Sequence, residues 1–207
     1  MGTFAAAVFL LIVTPGPGVL STAGVGAGFG MARGAAYVGG LCLGNALVGV
    51  LVASGVAASL MATPWLRHGF MLASTGYLLW LSLRIALAGA NTAFAPALKA
   101  PRALDGVLLQ LINPKAYAVN TVLFSGFAFM PQAWLTETLI KFVVINAIWL
   151  PLHFAWLYAG VALKRLALSA TKQRLLNVCM ALSLAAVAAL SMLSFATATA
   201  ATLTPGV

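Results

Sequence analysis

Apolar runs dominate the chain, and the polar positions between them recur at nearly regular intervals. Crossing a hydrocarbon core about 30 Å thick takes roughly 20 apolar residues in a helix. Six segments reach that length: about Phe4 to Gly26, Tyr37 to Leu60, Gly69 to Ala88, Gly106 to Phe129, Leu139 to Val161 and Leu176 to Phe195. Gly, Pro and charged residues punctuate the gaps. The longest polar gap, about 89–105, contains NTAFAPALKAPRALD and divides the chain into halves of three segments, about 1–90 and 106–207. The expected fold is all-α and integral to a membrane, with one domain over 1–207 and six transmembrane helices.

Three crossings reverse a chain, so a repeated three-helix unit must insert its second copy upside down. Thr14-Pro15 in the first segment and Asn113-Pro114 in the fourth stand 99 residues apart, and Asn45 in the second and Asn146 in the fifth stand 101 apart. These offsets predict a 3+3 inverted repeat with a proline break in the first helix of each half.

Composition agrees with the pattern. The chain is 63% hydrophobic and 6% charged, with a mean hydropathy of +1.07; a soluble domain carries about 25% charged residues. A water-facing surface could not be covered with so few charges. The net charge of +9 comes from 11 Lys and Arg against 2 acids, Asp105 and Glu137. The basic residues lie in short gaps and form no run interleaved with aromatics, so the expected partner is the lipid bilayer and not nucleic acid. The gaps after the first, third and fifth segments, with their flanks, hold Arg33; Arg84, Lys99 and Arg102; and Lys164, Arg165, Lys172 and Arg174. Those after the second and fourth hold Arg67 and Lys141. This asymmetry puts the first set in the cytoplasm and both termini outside. The N-terminal MGTFAAAVFLLIVTPGPG lacks the Lys or Arg of a signal peptide and is expected to stay as a membrane helix, with residues upstream of Met1 an open matter.

The stretch IVTPGPGVLST is a poor helix interior. Proline has no N–H and clashes with the carbonyl four residues back, so Pro15, Pro17 and Pro114 should free the carbonyls of Leu11, Val13 and Gln110. A bare carbonyl in hydrocarbon costs several kcal/mol and survives only where protein or a wet cavity answers it. Gly16 and Gly18 would let another group come close. A zwitterionic amino acid suits such a place: its ammonium can take freed carbonyls and its carboxylate the N–H groups that open a half-helix. Simple packing kinks are the competing reading. Candidate substrate-binding residues are Thr14, Pro15, Gly16, Pro17, Gly18, Asn45, Asn113, Pro114, Lys115 and Asn146. Lys115 could attract a carboxylate or snorkel to the interface; Asn45, Asn120 and Asn146 could bind substrate or join helices. His153, two turns after Asn146, is the only titratable group in the middle of the fifth segment, a proton-coupling candidate or a packing histidine. Gly24/Gly28, Gly26/Gly30 and Gly40/Gly44 read as close helix contacts, Trp149, Trp156 and Tyr158 as core or interface aromatics, and Arg33 as a cytoplasmic anchor.

TPGPG at 14–18, GMARGAAYVGGLCLGNAL, GYLLWLSLRIAL, LLQLINPKAYAVNTVLF and YAGVALKRL resemble, in this order and over nearly the whole chain, the lysine exporter family (LysE/RhtB type) of bacterial amino-acid efflux proteins. The resemblance implies export of amino acids or derivatives across the bacterial inner membrane, coupled to proton inflow. It implies no enzyme activity, cofactor or metal, and it allows a homo-oligomer. The chain departs from the family pattern at Gly18, where Asn is frequent; in GMARG, with one arginine where two are common; and at Asn45, neutral where some members have an acid. Two other classes compete. An intramembrane thiol–disulfide carrier needs a reactive cysteine pair, but Cys42 and Cys179 are single residues in distant segments. A small metal-ion exporter wants carboxylates, and the chain has two acids, both near loops. A hydrolase is weaker still, since no base and nucleophile share a motif.

Overall fold

The computed structural model describes residues 1–14, 16–87, 100–165 and 170–203. It is helical throughout, with no strand among the described residues: α1 (Gly2–Val13), α2 (Pro17–Ala53), α3 (Val56–Ala62), α4 (Pro64–Leu87), α5 (Ala103–Ile112), α6 (Pro114–Ser125), α7 (Trp134–Arg165) and α8 (Ala170–Leu203), with a 3-10 turn at Pro131–Ala133. Three stretches, Pro17–Ala53, His68–Leu87 and Pro131–Leu163, are long and apolar enough to cross a membrane, and shorter apolar helices occur at Gly2–Val13, Ala103–Ile112 and Asn177–Leu190.

The first and fourth apolar segments are not single rods. The first is α1 plus the opening of α2, interrupted at 14–16, and the fourth is α5 plus α6, interrupted at Asn113. Asn113 has extended backbone (φ −83°, ψ 108°), as the residue before a proline prefers, and Pro114 opens α6. The first and second segments are joined in α2 across a kink at Gly30, whose φ of 81° and ψ of −177° only glycine adopts at no cost. A Cβ at Gly30 would meet nothing within 4 Å, so this glycine serves the backbone and is not half of the packing pair expected for it. The second segment also stops earlier than its composition suggests: α2 ends at Ala53, and the chain restarts as α3 after Gly55, which has φ 80°.

α2 is the hub and packs most extensively on α7 and α5, while α4 pairs with α8. The contacts to α2 are close because glycine is where a side chain would collide. A Cβ at Gly40 would overlap the Ala103 carbonyl; one at Gly106 would lie 2.5 Å from the Tyr37 carbonyl oxygen; one at Gly160 would strike that of Ala23. The core at this hub includes Val25, Tyr37, Leu41, Leu109 and Leu157. On α4, Ser82 Oγ donates to the Ala181 carbonyl of α8 at 2.7 Å.

Two basic residues expected in loops are instead buried. Arg84 is 8% exposed, with its guanidinium carbon 4.5 Å from the centre of the Trp80 ring. Lys141 is 3% exposed and saturated: its Nζ meets Glu137 Oε1 at 2.7 Å and the Phe124 carbonyl at 2.9 Å, and also bonds the Phe127 carbonyl. The other Glu137 oxygen accepts the Phe129 N–H at 3.0 Å and the Met130 N–H. This network stands in for the missing backbone partners of the loop after α6, and Phe127 and Phe129 pack from there on Phe4 of α1.

Gly40→Ala should push α5 off α2 at a cost of about 1–3 kcal/mol, read as a loss of several degrees in the melting temperature of the detergent-solubilised protein. Gly39→Ala is the control: it has open space around its Cβ position and should be neutral or slightly stabilising.

Candidate functional site

The two interruptions meet. Lys115 Nζ, on the first turn of α6, donates to the Thr14 carbonyl at 2.7 Å, joining positions 101 residues apart. The lysine can reach because residue 16 is glycine: a Cβ there would lie 2.8 Å from Lys115 Cδ and 2.9 Å from its Nζ. The protein's own ammonium thus occupies a carbonyl of the kind that a substrate ammonium was expected to find bare. Other groups at the breaks are also satisfied. Thr14 Oγ1 donates to the Leu10 carbonyl at 2.7 Å. The Gln110 carbonyl, expected to be free, accepts the Asn113 N–H at 3.2 Å because the last turn of α5 tightens. The Tyr117 hydroxyl takes the Leu111 carbonyl at 2.9 Å. At the start of α6 the Asn113 side chain accepts the Lys115 N–H at 3.1 Å, an N-cap, and its amide donates to Gln110 Oε1 at 3.2 Å.

A cavity with about 490 Å³ of empty space, part of it open to the surroundings, lies between the breaks. Its polar lining comes from Thr14 and Gly16, Asn45 of α2, Gln110 of α5, Asn113, Lys115 and Asn120 of α6, and His153 of α7. Its apolar wall comes from Leu11, Ile12, Val19, Val119, Leu123, Ile145 and Trp149. Lys115 carries the only fixed charge among the described lining residues, and no carboxylate is among them.

Asn120 and Asn45 close one side: Asn120 Nδ2 donates to Asn45 Oδ1 at 3.1 Å and to the Ala116 carbonyl at 2.8 Å. His153 closes another. Its Nδ1 lies 2.9 Å from the Trp149 carbonyl oxygen. A carbonyl can only accept, so Nδ1 carries the proton and Nε2 presents a lone pair when the ring is neutral. The Trp149 ring stacks on the imidazole, 14° from parallel. The Nε2 side faces Gly18, where a Cβ would be 3.4 Å from it. The Gly18 carbonyl accepts from Ser21 Oγ at 2.9 Å and Thr22 Oγ1 at 2.8 Å, so this backbone is held firmly.

Of the residues singled out in the sequence, Thr14, Gly16, Pro17, Gly18, Asn45, Asn113, Lys115 and His153 line this one cavity. Pro15 lies outside the described residues, as does most of the 89–105 gap. Pro114 is not on the lining and serves as the first residue of α6. Asn146 is not on the lining: its amide donates within α7 to the Phe142 carbonyl at 2.8 Å, and its Oδ1 accepts from the Cys42 thiol of α2 at 3.4 Å, a contact of the helix-joining kind that was its alternative reading. Trp149 is the core aromatic expected of it and is at the same time part of the cavity wall. Gln110 was missed. Its signal was available: a polar residue in LLQLINPK, one turn before the break, must be answered in an apolar segment.

A family model described as LysE type translocator matches residues 9–195. A leucine efflux protein from Enterobacter sp. (strain 638) is 28% identical over 130 residues, which covers 60% of this chain and 62% of that protein. The aligned region thus spans somewhat less than two thirds of the relative's length. No solved structure matches the chain.

Lys115→Met removes the bond across the two breaks and leaves the Thr14 carbonyl bare. A hydrogen bond from a charged group contributes about 1.5–3 kcal/mol, so the melting temperature should fall by several degrees. Gly16→Ala should lower it too, by displacing the same side chain.

Proposed function

Because the chain belongs to the LysE type translocator family, we propose that it is a secondary transporter that exports amino acids with neutral, aliphatic side chains from the bacterial cytoplasm. The observation that carries this reading is the meeting of two helix breaks at one cavity. Backbone that departs from helix inside an apolar protein is tolerated where it lines such a space, and transporters with repeated halves place their substrates there.

The lining chemistry favours a zwitterion with an apolar tail. A carboxylate would find the Lys115 ammonium and the second N–H of the Asn113 amide. The ammonium would find the lone pair of His153 and side-chain carbonyl oxygens. Leu11, Val119, Ile145 and their neighbours offer the tail an apolar wall. A lysine-like side chain would bring a second cation to a cavity whose one fixed charge is already positive. The name of the leucine efflux relative points the same way.

The architecture proposed for this task is six spans in two inverted halves. α1 with the opening of α2, the remainder of α2, and α4 form one half; α5 with α6, α7 and α8 form the other. The halves would rock about the cavity to expose it to each side in turn. The bias of Lys and Arg orients both termini outward across the inner membrane, and His153 would carry the coupling proton. A thiol carrier is less well supported, since Cys42 and Cys179 are both free and neither lines the cavity.

The test is export of a radiolabelled panel from cells loaded with dipeptides, with and without expression. Release of leucine and other aliphatic amino acids should rise several-fold, and release of lysine and arginine should stay at background. If no amino acid left faster on expression, the exporter reading would be wrong. If basic ones alone did, the assignment of substrate class would be.

A further inference from the structure

His153 is held as a one-seat acceptor. Its Nδ1–H is committed to the Trp149 carbonyl at 2.9 Å. The Trp149 ring lies flat against the imidazole and restricts its rotation. Nε2 alone can exchange partners, and it faces the cavity beside Gly18.

Gly18 makes that nitrogen reachable. Its backbone is helical, where glycine is about 1 kcal/mol less favourable than alanine. A Cβ would meet only ordinary contacts, His153 Nε2 at 3.4 Å and Gln110 Nε2 at 3.9 Å. Packing therefore does not demand glycine here, in contrast to Gly40, where a Cβ would strike backbone. What alanine would remove is the space in front of the lone pair.

We propose that the His153 Nε2 lone pair is a single seat taken either by the ammonium of the substrate or by the coupling proton, and that Gly18 keeps the seat open. This rests on the exporter reading and deepens it. The ammonium donates an N–H to Nε2 when the ring is neutral. A proton arriving on Nε2 turns the acceptor into a donor and adds a positive charge facing the ammonium, so the amino acid leaves. Mutual exclusion at one site is what exchange of a proton for a substrate requires, and it needs no intramembrane carboxylate. The charged group facing His153 across the cavity is Lys115 of α6; no acid lines the cavity among the described residues. Lys115 and His153 also line the same cavity. The lysine Nζ lies beside position 16 and the imidazole Nε2 beside position 18. The zwitterion would put its carboxylate on Lys115 and its ammonium on His153.

The experiment uses the purified full-length protein with L-leucine as probe. Leucine binding is followed by calorimetry across a pH series, and leucine counterflow is followed in liposomes. In the native protein the affinity should weaken as pH falls, approaching tenfold per pH unit, and leucine added to weakly buffered protein poised on that slope should release protons. In His153→Gln the affinity, whatever its level, should no longer vary with pH over that range. Gly18→Ala should bind leucine at least several-fold more weakly while its melting temperature holds or rises. A His153→Gln protein with the native pH dependence, or a Gly18→Ala protein with native affinity, would overturn the proposal. A native protein whose affinity is independent of pH would overturn it as well. A native protein that shows no counterflow of any amino acid would instead remove the exporter reading beneath it.

Discussion

The Lys115–Thr14 hydrogen bond is the contact on which the rest of the arrangement depends. Two prolyl breaks inside apolar segments leave backbone groups that oil cannot solvate, and the cost of each is large against the few kcal/mol that hold a domain together. The chain answers by bringing the breaks together, so that a side chain from one satisfies the backbone of the other. The satisfied groups still surround a space. The cavity is thus the residue of a stability problem, and its polarity is inherited from the groups that solve it.

Small residues set how closely the other walls approach. Glycines at 40, 106 and 160 let α5 and α7 lie almost backbone to backbone on α2. That proximity delivers Gln110 and His153 to the cavity from helices with no break of their own at those positions. Glycine has two different uses along α2. At Gly40 a methyl would collide with backbone, while at Gly18 it would only fill space. A list of glycines in the sequence cannot separate these uses; the neighbour across the contact decides.

Much of the fold was legible in the pattern of apolar runs. Most helical segments fall where the hydropathy puts them, the breaks fall at TPGPG and INPK, and Thr14, Gly16, Asn113 and Lys115 beside them line one cavity. Other features depend on partners that no local pattern reveals. Gly30 looked like a packing residue because its composition context is that of a GxxxG pair, but it kinks α2 and faces open space. Asn146 matched Asn45 in offset, yet one turns to a neighbouring helix and the other to the cavity. Trp149 looked structural because an aromatic in an apolar run usually is, and only its register with His153, one turn away, places it at the site. Lys141 looked like an interfacial charge because nothing local announces that a loop 14 to 17 residues away needs its protons.

Both acids in the chain are committed to the scaffold. Glu137 ties down the loop after α6, and Asp105 accepts the Arg102 N–H at 2.7 Å where α5 begins. With 11 Lys and Arg in the same chain, the molecule keeps no spare negative charge to serve as an internal counter-ion. The void between the half-helices is therefore walled by an ammonium with no described carboxylate opposite it, and an anionic group brought in from outside would meet no like charge there.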